Sequence, residues 1–160
     1  MLVCPNFINF QRLCFRNLVQ IFGLLLGAFL PHFCFAYTPD EIRLAIKQAG
    51  GAEKFLIMVS TDTAKIAPRM LDRDTELLSA VSQGKTIVYY VRMVNFAKSD
   101  IGDITATRRN ILEAASPAIC TAPISSILIR EHLAEYKYIV YSKSREHLFE
   151  YVINRNICVQ

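Results

Sequence analysis

The chain has 160 residues, with 18 Lys+Arg against 14 Asp+Glu and a formal net charge of +4. That is material for one domain and too short for two ordinary cores. Hydrophobic residues at 52% and charged residues at 20% exclude a disordered tail, a highly charged nucleic-acid arm and collagen-like or low-complexity chains.

The first 36 residues hold 24 apolar residues, three of the five cysteines, two arginines and no acidic residue. Arg12 and Arg16 precede Leu18 to Leu30, an apolar run broken only by Gln20, Gly23 and Gly27, and Pro31 ends it ahead of Cys34-Phe35-Ala36. A basic start, an apolar centre and small residues before the cut are the layout of a secretory signal, with cleavage expected after Ala36. Thirteen helical residues rise about 20 Å, short of the roughly 30 Å hydrocarbon core, which argues against a permanent anchor. Membrane contact is therefore expected only through the leader during export. A retained leader would instead make a membrane-tethered secretion or assembly factor.

Cleavage would leave a single domain, residues 37–160, with 16 Lys+Arg against 14 Asp+Glu. No polybasic stripe remains, so nucleic acid is not an expected partner. Export to the periplasm or the exterior also gives the cysteines a meaning. Only Cys120 and Cys158 survive, and an even pair in an oxidising compartment is expected to form a disulfide. Closing that loop would stabilise the fold by roughly 3 to 4 kcal/mol if chain entropy governs.

Thr38-Pro39-Asp40-Glu41 reads as a helix start with a capping box, followed by Ile42, Ala45, Ile46 and Ala49 at helical spacing and stopped by Gly50-Gly51. Ala52 to Ile66 is predicted as a second helix, although Phe55 to Val59 would also suit a buried strand. Thr75 to Ser82 and Lys85 to Phe96 then alternate with period two around Gln83-Gly84 and predict a hairpin. In its second strand Ile87, Tyr89, Val91 and Met93 are the more apolar face and should meet the core. Ser99 or Asp100 to Pro117 is predicted as a third helix and about Pro123 to Ala134 as a fourth. Tyr136 to Ser142 and Glu146 to Asn154 are the last two strands. The order α-α-β-β-α-α-β-β predicts an α+β domain, with a four-stranded antiparallel sheet and about four packed helices.

Standard catalytic signatures are absent, and no cofactor or metal site is expected. Acid–base chemistry would need His132 or His147 with a carboxylate such as Asp72, Asp74 or Glu76, or Cys120 as a nucleophile beside either histidine. The simpler reading makes the Asp72–Glu76 run a solvated turn and both histidines ordinary surface residues. Arg108-Arg109 reads as a solvated helix face. Tyrosines crowd the predicted strands, and tyrosine suits both sheets and protein interfaces. Tyr90, Arg92, Tyr136, Lys137 and Tyr138 are the candidate interaction surface.

The runs Pro68 to Leu77 and Gly84 to Tyr90, with the Ala118-Ile119-Cys120 and Asn156-Ile157-Cys158 ends, resemble small exported bacterial proteins of unassigned function. That group is similar to the quorum-sensing-regulated virulence factor family. The resemblance spans Pro68 to Cys158 and implies export, an α+β fold and a paired cysteine, with no catalytic residues. The expected role is a non-enzymatic domain that binds another protein. The rivals are a small hydrolase built around His132 or His147, and the tethered factor above.

Overall fold

The structure is a computed structural model that describes residues 37–159; the expected leader, 1–36, lies outside the described residues, as does Gln160. Helix α1 (Pro39–Gln48) begins as its sequence dictates. Thr38 Oγ1 accepts from the Glu41 amide at 3.3 Å, and Glu41 Oε2 accepts from the Thr38 amide at 2.7 Å, closing a capping box. Gly50 and Gly51 take φ values of 86° and 110°, turning the chain into α2 (Ala52–Ile66). The run Phe55 to Val59 is helical here: Phe55 and Leu56 are buried while Ile57 and Met58 point outward, a division that a fully buried strand would not show.

After α2 the chain forms a two-residue strand, β1 (Arg69–Met70), then β2 (Thr75–Gln83) and β3 (Thr86–Met93). Strands β2 and β3 pair as the expected hairpin, but Gln83 pairs with Thr86, so the turn is Gly84-Lys85, one residue later than the Gln83-Gly84 expected. Gly84 has φ 58° and Lys85 does not share the positive φ, the pattern of a type II′ turn. A 3₁₀ turn, Lys98–Asp100, precedes α3 (Ile104–Thr121) and α4 (Pro123–His132), followed by β4 (Glu135–Tyr141), β5 (His147–Ile153) and the single turn α5 (Arg155–Cys158).

Helix α3 starts and ends later than its sequence predicts. Asp103, rather than Ser99 or Asp100, is its cap, accepting from the amides of Thr105 at 2.8 Å and Ala106 at 3.0 Å. Pro117 lies inside the helix instead of ending it. The carbonyl left without a donor belongs to Glu113, on an exposed stretch where water can serve it. The true break is Ala122, held extended before Pro123, and α4 leaves α3 at 90°.

The sheet corrects the four-stranded antiparallel expectation. Among the described residues it has five strands in the order β1-β2-β3-β4-β5, and β3 and β4 run parallel. The physical reason lies in the crossover. Two helices carry the chain back to the end where β3 began, so the Glu135 amide bonds the Lys85 carbonyl at 3.0 Å and β4 starts beside Thr86. The added strand β1 pairs antiparallel with Leu77 and Glu76 and was too short for alternation to reveal.

All the helices that contribute buried residues lie on one face of this sheet. Ile42, Phe55, Leu56, Ile119, Leu128 and Ile129 form one cluster with Leu77, Ala80, Ile87, Tyr89, Val91, Tyr136, Tyr138, Val140, Tyr151 and Ile153. Leu56, Ile87, Leu128, Ile129 and Ile153 are wholly buried, and each such side chain contributes roughly 1.5–3 kcal/mol. The predicted core face of β3 is thus the observed one for Ile87, Tyr89 and Val91.

Cys120, in the last turn of α3, and Cys158, in α5, are disulfide-bonded with Cα atoms 5.3 Å apart. The bond ties the crossover to the segment after β5. A cysteine held in this bond is no nucleophile, which removes the Cys120–histidine reading.

Candidate protein-interaction surface

Alternation along the strands sends half of the sheet's side chains away from the helices. Register sorts them into rows across four strands. Val81, Val88, Lys137 and Val152 form one; Ser79, Tyr90, Ile139 and Glu150 the next; Glu76, Arg92, Tyr141 and His147 the third. Val88 is buried within this face yet stands apart from the main core cluster. Tyr90, Ile139, Tyr141 and Val152 are half-buried on this face. The result is an amphipathic plate with aromatic and aliphatic residues at its centre and ion pairs among them.

Of the residues expected to make this surface, Tyr90, Arg92 and Lys137 lie on it. Tyr136 and Tyr138 do not: each is 7% exposed and belongs to the core. The reason is the strand period itself, since Lys137 sits between them and points the other way. Their rings instead build an aromatic ladder. Tyr89, Tyr138 and Tyr151 are register partners on β3, β4 and β5, with ring centroids 5.2 Å and 4.8 Å apart. Burial pushes the Tyr136, Tyr138 and Tyr151 phenols up, so they remain neutral and act as apolar plates. The residues that sequence reasoning missed are Ile139, Tyr141 and Val152. The signal that could have found them was the strand period, since Ile139 and Tyr141 lie two and four residues after Lys137 and Val152 lies two after Glu150.

Charges on the face are matched to one another. Arg92 Nη2 lies 2.6 Å from Glu76 Oε2, with the two side chains 25% and 16% exposed, while Arg92 Nε is buried without an acceptor among the described residues. Lys137 pairs with Glu150 across β4 and β5, and that hydrogen bond holds the Glu150 carboxyl below its ordinary range.

Among the described residues, neither His132 nor His147 is hydrogen-bonded to a carboxylate. His147 packs edge-on to Tyr141 at 6.0 Å and lies 3.8 Å from Glu150, beyond hydrogen-bond distance, with both side chains well exposed. His132 ends α4. Asp72 accepts from the amides of Asp74 and Thr75 at 2.8 Å each, and Asp74 accepts from Asn95 Nδ2 at 2.6 Å, so these carboxylates shape the turn before β2. No group of three or more metal-ligating side chains occurs among the described residues.

No known family's sequence profile matches the chain, and no curated protein matches it by sequence. Solved structures do share its fold. A Pseudomonas aeruginosa protein described as a presumed secreted protein superposes with a TM-score of 0.56 at 12% identity, covering 78% of this chain and 99% of that one. The type 2 secretion system pilotin EpsS of Vibrio vulnificus gives 0.56 at 8% identity, covering 72% and 96%. The type II secretion system pilotin AspS of Vibrio cholerae gives 0.53 at 10% identity, covering 73% and 98%. At such identities the likeness is one of fold.

Proposed function

We propose that the chain is an exported bacterial domain that acts by binding another protein through the helix-free face of its sheet, in a role related to secretion. The observation that carries this reading is the plate of Tyr90, Ile139, Tyr141 and Val152, interleaved with the Arg92–Glu76 and Lys137–Glu150 pairs. Tyrosine and arginine, both present on this plate, are enriched at protein-contact surfaces. The shared fold of a presumed secreted protein and two secretion-system pilotins supports the same reading. So does the Cys120–Cys158 bond, which suits an oxidising compartment such as the periplasm. In this account residues 1–36 direct export and are removed after Ala36. The resemblance of Pro68 to Cys158 to quorum-sensing-regulated virulence factors is a further proposal in the same direction.

The test is the size of the species carrying the chain in envelope extracts. The parent chain should migrate in a complex larger than its own mass, and Ile139→Asp should release it as a folded monomer. A monomeric parent, or a complex unchanged by Ile139→Asp and Tyr90→Ser together, would overturn the assignment to this face.

A further inference from the structure

We infer that the outer edge of β2 is a second recognition site, which takes a short extended segment of another polypeptide as a sixth strand. The edge is unpaired where it matters. Strand β1 covers only Leu77 and Glu76, and from Ser79 to Gln83 the described residues supply no hydrogen-bonded neighbour on that side. An exposed edge leaves a row of amide donors and carbonyl acceptors without protein partners. Beside it lies a groove of about 570 Å³ between α2 and β2, lined on α2 by Ile57, Ser60, Thr61, Ala64 and the charged Lys65 and on β2 by Ala80, Val81 and Ser82. Three consecutive strand residues can line one groove only through the strand's edge, because successive side chains point to opposite faces. Ile57 is 53% and Val81 37% exposed there, and the Ser82 hydroxyl is buried without a partner.

These features specify the occupant. Backbone groups in a row call for an extended backbone, and β1 already shows that this edge accepts a strand. Side chains of the added strand that point toward α2 would meet Ile57 and Ala64. Those on the other side would extend the row of Val81 and Val88. The segment is therefore apolar at the alternate positions that continue the row of Val81 and Val88, small and hydroxyl-bearing at those that face α2 and the Ser82 hydroxyl, and about five residues long. A second copy of this chain does not fit. Helix α2 lies over β2, and pairing two β2 edges would set two such helices one strand spacing, about 4.8 Å, apart where packed helices need 8–10 Å. The occupant is a strand with no helix of its own above it.

The inference is independent of the open-face reading, because a partner gripping only that face leaves the β2 edge amides exchanging freely. The probe is an acetylated, amidated heptapeptide of alternating threonine and valine, added to the isotopically labelled chain as exported, with amide hydrogen exchange read by NMR. The outward-facing amides between Ser79 and Gln83 should exchange rapidly alone and at least tenfold more slowly at saturation, with shifts confined to β2 and α2. N-methylation of alternate peptide amides should abolish the effect, and Ala64→Arg, which fills the groove on an exposed helix position, should weaken binding at least tenfold. Equal protection by the methylated peptide, shifts centred on Tyr90, no change at the edge, or pairing of two chains through β2 would each overturn it.

Discussion

Tyr138 stands at the middle of the aromatic ladder, opposite Tyr89 on one side and Tyr151 on the other, and its ring is buried against the helices. Truncating so large a buried ring leaves a cavity, so Tyr138→Ala should lower the unfolding free energy by about 3–5 kcal/mol, while Tyr138→Phe keeps the stacked ring and should remain within about 1.5 kcal/mol of the parent. Urea denaturation measures both. Exposed carboxylates add a pH dependence. Glu131, gripped by Arg43, and Glu150, bonded by Lys137, are both held below the ordinary value of 4.5. A depressed folded value means stabilisation that is present above 4.5 and fades as pH falls toward the folded value. The urea midpoint should therefore drop as pH falls below 4.5, and Glu131→Gln should flatten part of that drop.

Elements were legible where their signals are local. The capping box at Thr38 and the glycine turn at Gly84 each depend on a few adjacent residues, and both lie within one residue of where the sequence placed them. The boundaries of α3 were not, because Pro117 is tolerated only through an exposed carbonyl that no local pattern announces. One element end departs from its usual chemistry: Leu133 caps α4 in the left-handed region at φ 57° while 54% exposed. Glycine accepts that conformation without the strain a side chain brings, so Leu133→Gly should raise stability by about 1 kcal/mol in the same urea assay. The Cys120–Cys158 bond closes a separation of 38 residues. Cys158→Ser should lower stability by about 2–5 kcal/mol, and reduction of the parent should reproduce that loss.

At the scale of the molecule, the α+β class and the helix–helix–strand–strand repetition follow from periodicity, but the direction in which the two hairpins meet does not. That depends on where the α3–α4 crossover delivers Glu135, a long-range fact that no window of sequence contains. The same limit governed the surface. Tyr90, Arg92 and Lys137 were accessible to alternation, whereas Tyr136 and Tyr138 entered through proximity in sequence and belong to the opposite face. Among the described residues the sheet has five strands with helices packed on one side, which leaves a broad amphipathic plate on the other, and the proposed function assigns that plate to a protein partner. Its most direct test is a photoreactive phenylalanine analogue placed at Tyr90 or Tyr141, with Glu113 on α3 as the control, in the exported chain within the living cell. The account predicts a discrete adduct of one partner from Tyr90 and Tyr141 and none from Glu113. Adducts from Glu113 alone, or no adduct from the sheet face, would contradict it.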